Sequence, residues 1–135
     1  MKAFLVSLIF TVTALADFAI IANPNISINN ISKSELEKIF LSKTRNFADG
    51  TRAKPVEIAK TGLKSMFYNL IANKSEVELR SYWATLIFTG TGKPPKQMKN
   101  EDQVIKYVSQ TPGAISYIEK REPDESVKII FLSEK

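Results

Sequence analysis

ISKSELEKIFLSKTRNFADG, residues 31–50, carries a complete helix signal and the exit from it. Ser32 followed by Glu35 is a capping box. The hydroxyl can accept from the amide three residues on, and the carboxylate can reach back to the Ser32 amide. Ile31 and Leu36 stand at the two positions of a hydrophobic staple. Leu36, Ile39 and Phe40 line one face, so the helix must pack on something apolar. Lys38 and Lys43 sit at or near its C-terminal end, where positive charge suits the helix dipole. A basic loop follows with one aromatic suited to burial, Phe47, and Asp49-Gly50 closes it as a tight turn. Taken alone, this pattern also fits an ordinary surface helix and loop.

The flanking stretches supply a sheet for that helix to cover. Upstream, FAIIA (18–22) is a continuous apolar run, the mark of a strand buried on both faces, of the kind parallel sheets contain. Asn23-Pro24-Asn25 ends it. Downstream, KPVEIA (54–59) alternates Val56 and Ile58 with Glu57, a second and weaker strand. TGLKSMFYNLIAN (61–73) is the clearest helix, with Leu63, Met66, Phe67, Leu70 and Ile71 on one face and Thr61 as its expected N-cap. Ser75 and Glu78 form another capping box, opening a helix whose inner face holds Leu79, Trp83, Leu86 and Ile87. TGTGKPP (89–95) has the look of a phosphate loop but lacks its spacing, and Pro94-Pro95 forbid the helix that must follow. A flexible edge loop is expected there. Asn100 with Gln103 starts a helix with Val104, Ile105 and Val108 inward. Thr111-Pro112-Gly113 is a turn, AISYI (114–118) a strand, KREPDES (120–126) an exposed loop and VKIIFL (127–132) a last strand. This order predicts an α/β layer with a mostly parallel sheet flanked by helices.

Composition narrows the function. Among 135 residues there is no Cys and no His, which excludes Ser-His-Asp and Cys-His nucleophiles and every Cys/His zinc site. Residues 1–16 read as a secretory signal: Lys2 is the positive end, an apolar run follows, and Ala14-Leu15-Ala16 is an A-x-A cleavage site before Asp17. That run is too short for a spanning helix of roughly 20 residues. The expected mature domain is 17–135, large enough for one core, in the periplasm or secreted. The net charge is +5, and +4 without Lys2. A mild basic excess suits an anionic ligand or surface. No Lys/Arg block is interleaved with stacking aromatics, so nucleic acid is not expected. The chemistry-bearing stretch is the start of the 61–73 helix. Lys60, Thr61 and Lys64 surround free amides and a short Gly62, an arrangement able to hold an anion, although a plain cap with solvated lysines gives the same pattern.

Two stretches together carry a resemblance. IFLSKTRNFADG (39–50) resembles the segment I-F-L-G-K-x-x-x-W-x-D-G of phosphate-type periplasmic solute-binding proteins, and TPGAISYIE (111–119) resembles their T-P-G-A-I-G-Y-V-E. The chain is most similar to short, one-lobe members of this type 2 superfamily, over about residues 18–119. The resemblance implies an extracytoplasmic protein associated with phosphate uptake by an ABC transporter. In full-length relatives phosphate is held between two lobes by amides and hydroxyls at helix starts, including a Ser-Gly-Thr-type motif whose place Lys60-Thr61-Gly62-Leu63 fills here. Ser42 stands for the family's Gly, Phe47 for its Trp and Ser116 for the second Gly of G-A-I-G-Y.

Three roles compete. The first is a solute-binding module taking phosphate or another small oxyanion at Thr61, Gly62 and Lys64, with Asn23 and Asn25 contributing from the end of the first strand, where open α/β sheets place ligands. Its partner would be a membrane permease. The second is a ligand-less single-lobe adaptor or regulatory protein of the bacterial envelope, with a homodimer among its expected states. The third is an enzyme using Asp49 and Glu57. No pair of acids stands at a recognisable spacing, so catalysis is not expected. Neither a cofactor nor a metal is called for.

Overall fold

The computed structural model describes residues 18–59, 61–119 and 125–133. The expected leader over 1–16 and its cleavage site lie outside them, as do Lys60 and most of the charged loop 120–126. The elements in order are β1 (Phe18–Ala22), α1 (Lys33–Phe40), β2 (Lys54–Ile58), α2 (Thr61–Ala72), α3 (Glu76–Thr89), β3 (Lys96–Met98), α4 (Glu101–Gln110), β4 (Ala114–Glu119) and β5 (Lys128–Leu132). The five strands form one sheet in the order β3-β2-β4-β1-β5. No helix among the described residues is long and apolar enough to cross a membrane.

The α/β expectation holds, with one correction to the sheet. β2 pairs in parallel with β3 and β4, whereas β1 pairs antiparallel with β4 and β5. Four strands therefore run one way and β1 alone runs against them. FAIIA is buried at every position, as its unbroken apolar run requires. Burial on both faces depends on what covers the sheet, however, and leaves strand direction undetermined. A second correction concerns residues 96–98. They form a short edge strand along β2, in parallel register from Val56↔Lys96 to Ile58↔Met98, between the expected loop over 89–95 and the helix opened by Asn100, where the sequence pattern assigns no element.

The helices form where their caps predict. Ser32 accepts from the Glu35 amide, and Ile31 and Leu36 are both buried. The reciprocal arm forms fully only in α3, where the Glu78 carboxylate accepts from the Ser75 amide; in α1, Glu35 lies against the Ser32 hydroxyl instead. α1 and α2 pack together on the sheet face that presents Tyr117. Phe67 stacks on the Tyr117 ring at 4.2 Å and meets Phe40 and Phe18 edge-on. α4 contacts β1, β2, β3 and β4 and is left to cover the other face, with Val104, Ile105 and Val108 buried. α3 is more peripheral. It buries Leu79 and Trp83 but leaves Ile87, which the pattern places inward, largely exposed.

Candidate functional site

The start of α2 sits just beyond the carboxyl end of β2. α2 already includes Thr61, so Thr61 is the first helical residue and not the cap that the pattern predicts; residue 60 lies outside the described residues. Gly62 is exposed, and a Cβ there would meet nothing within 4 Å, so the first turn is open to solvent. It carries no acidic side chain, whereas the first turns of α1, α3 and α4 hold Glu35, Glu76 with Glu78, and Glu101 with Asp102. The positive end of the α2 dipole is thus unanswered by a nearby carboxylate of its own turn.

Lys64 has a different role from the one its sequence position suggests. Its ammonium lies 3.4 Å from Glu57 Oε2, and Glu57 is almost wholly buried, with 1% of its surface exposed. The alternation in KPVEIA points Glu57 away from the faces of Val56 and Ile58, as expected. Both faces of β2 are covered, so "away" is inward, beneath α2. Tyr68, on the next turn of α2, donates its hydroxyl to Glu57 Oε1. Among the described residues, Oε2 receives no hydrogen bond and the buried Tyr117 hydroxyl nearby makes none either. Burial, then the charge of Glu57, pushes the Tyr68 phenol well above its ordinary range, and the same two causes in the same order raise Tyr117. Lys64 therefore serves first as counterion to a buried carboxylate. An anion at the helix start would share it.

The adjacent cleft, about 410 Å³, is lined by Ile58, Ala59, Lys99, Asn100, Glu101, Asp102 and Glu119. It lies at the carboxyl edge of the sheet, where open α/β folds bind ligands. Asn100 caps α4 by accepting from the Gln103 amide at 2.9 Å, and Glu101 accepts from the Glu119 amide at 2.7 Å. Three carboxylates against the single Lys99 cation make this cleft unfavourable to an oxyanion, and among the described residues none of α2 lines it.

Asn23 and Asn25 do not join this site. Because β1 runs against β2 and β4, its carboxyl end pairs with the start of β4, Ala22 with Ile115, while β2 starts at the same edge. The start of α2 lies a strand length away, roughly 15 Å. The Asn23 side chain is moreover fully engaged. Nδ2 donates to the carbonyls of Val108 and Ser109, and Oδ1 accepts from the Asn25 amide. It ties β1 to the end of α4. Asn25 is exposed. Asp49, the other acid considered for catalysis, accepts from Ser27 Oγ at 2.6 Å and the Thr51 amide at 2.9 Å, and these hydrogen bonds, Ser27 first, hold its carboxyl below the ordinary range. It braces a loop, while Glu57 is sealed inside. The Glu57–Tyr68–Tyr117 cluster escapes sequence reasoning because Tyr68 stands one position off the apolar stripe of α2 that contains Phe67.

A mixed five-stranded sheet flanked by helices, with helix starts at its carboxyl edge, defines one lobe of a type 2 periplasmic-binding-protein-like fold. Solved structures agree. A protein assigned as a phosphate ABC transporter substrate-binding protein from Clostridium perfringens, crystallised with bound phosphate, superposes with a TM-score of 0.66 at 16% identity, covering 85% of this chain and 45% of that one. An ABC-type phosphate transport receptor from Vibrio cholerae gives 0.65 at 17%, over 85% and 46%. PstS from Borrelia burgdorferi gives 0.59 at 21%, over 85% and 47%. The chain spans about half the length of the solved proteins it matches. No protein-family model matches the sequence.

Proposed function

We propose that this protein is an extracytoplasmic solute-binding protein of the phosphate type, exported by a signal over 1–16 cut after Ala16. It takes phosphate or a similar small oxyanion at the first turn of α2 and serves an ABC-type permease. The observation that carries this reading is the first turn of α2, open at Gly62 and without an acidic side chain, in a fold shared with a phosphate-bound protein. Isothermal titration with phosphate and sulfate tests it. Binding at or tighter than about 1 mM is expected, weakened about tenfold by Thr61→Ala, roughly 1.4 kcal/mol. Lys64 is a poor probe by itself, since removing it strands Glu57; Lys64→Met combined with Glu57→Gln is the usable variant. No binding at millimolar phosphate, or binding indifferent to Thr61→Ala, overturns the proposal.

A second reading, a ligand-less adaptor of the envelope, draws on two specific observations. Lys64 is already engaged by Glu57, and α3 presents Val77, Ile87 and Phe88 to solvent. That reading expects self-association or capture of an envelope partner through α3, and no oxyanion binding.

A further inference from the structure

A second cleft, about 470 Å³, opens at the other edge of the sheet, beside the starts of β2 and β3. Three loops build it: Ser42, Thr44 and Arg45 after α1; Arg52, Ala53 and Pro55 entering β2; and residues 91–96 entering β3. Its charged lining residues are Arg45, Arg52, Lys93 and Lys96, and no acidic residue lines it. Among the described residues, Arg45, Arg52 and Lys93 enter no ion pair. Lys96 stands at the rim, its ammonium over the Tyr107 ring at 5.7 Å. Lys43, the other basic residue of the first loop, is not part of the set, because Glu37 holds it at 2.8 Å.

Backbone contacts fix the walls and leave the charged side chains out of the scaffolding. Ser42 Oγ donates to the Lys93 carbonyl at 3.0 Å, joining the first loop to the third. Gly92 permits that approach: a Cβ there would stand 2.8 Å from Leu86 Cδ2 and 3.2 Å from Ser42 Cβ. The Ala53 amide donates to the Arg45 carbonyl at 2.9 Å, joining the first loop to the second. Arg52 is pinned from below by Gly113, whose Cβ position lies 2.2 Å from the Arg52 carbonyl oxygen. Like charges held together without a counterion repel one another, and a bound anion relieves that repulsion. Two guanidinium forks beside an ammonium match the oxygens of a phosphate group better than a lone carboxylate.

We propose that this cleft is an anion site for a multiply charged phosphate group of the diphosphate kind, free or on a lipid headgroup, separate from the turn at Thr61. The test uses the whole chain with two probes. Inorganic pyrophosphate is titrated while amide resonances are followed by NMR, and phosphatidylcholine vesicles carrying a polyprenyl diphosphate are compared with phosphatidylcholine alone in a sedimentation assay. Pyrophosphate is expected to shift the amides of Ser42, Arg45, Arg52 and Lys93. Arg45→Gln with Arg52→Gln, which leaves the backbone contacts in place, should weaken that response at least tenfold without lowering the melting temperature. Vesicle binding lost in the same variant, with no response to pyrophosphate, assigns the phosphate to a lipid headgroup. No response to either probe, or a response unchanged in the variant, overturns the proposal. Shifts confined to residues 61–64 also overturn it while leaving the α2 site standing.

Discussion

Glu57 shows how one side chain can reverse the meaning of a pattern. An acid between two apolar strand residues signals a solvent face only when one face of the sheet is bare. Here α2 covers it, and the carboxylate is held by the Tyr68 hydroxyl and the Lys64 ammonium. Removing one partner of a buried polar group costs about 1–3 kcal/mol. Tyr68→Phe should therefore destabilise the protein by about that much in urea denaturation. Tyr117→Phe, whose hydroxyl has no partner, should cost far less. The same pair sets an alkaline limit. Both folded phenols hold their protons more tightly than unfolded tyrosine, which ionises near pH 10. Their contribution is fully present below about pH 10 and is lost as pH rises above it. In an absorbance titration, two of the four tyrosines should ionise only as the chain unfolds, and Tyr68→Phe with Tyr117→Phe should abolish that step.

Elements with strong local signals are legible from sequence, and those defined by their neighbours are not. α1, α3 and α4 begin at Ser32, Ser75 and Asn100 because each side chain satisfies an amide of its own first turn, a contact between residues three apart. β3 is three residues long and wholly set by Val56, Glu57 and Ile58 beside it, so Lys96-Gln97-Met98 carries no periodicity to read. The direction of β1 depends on partners about 100 residues away, and this separates Asn23 and Asn25 from Thr61. The turn 111–113 is legible, but the need for its glycine is not. Gly113 has φ +81°, and its missing side chain makes room for the Arg52 carbonyl. Gly113→Ala should cost at least about 2 kcal/mol, from the left-handed backbone and the displaced strand entry together. A thermal melt measures it.

At the scale of the molecule, charge and apolar surface are distributed unevenly. The cations of the three-loop cleft gather at one edge of the sheet and the carboxylates around Glu101 at the other, while α3 carries Phe88 at 92% exposure together with Val77 and Ile87. Ile87 and Phe88 are consecutive at the end of α3, and Val77 stands apart near its start. Phe88→Ser should leave the unfolding free energy within about 0.5 kcal/mol of the parent and reduce any concentration-dependent association seen in analytical ultracentrifugation. Association that is absent in the parent, or unchanged in the variant, removes α3 from consideration as a contact.

The reversed first strand also governs when the chain can fold. Phe18 exchanges hydrogen bonds with Ser133, 115 positions later, and both ladders of β1 pair it with strands about 100 positions on. Its two neighbours in the sheet are β4 and β5, so β1 joins the sheet only when they do. Closure at such long separation is slow. β1 is thus the strand expected to settle after the locally connected elements have formed, because both of its ladders close across the longest separations in the sheet.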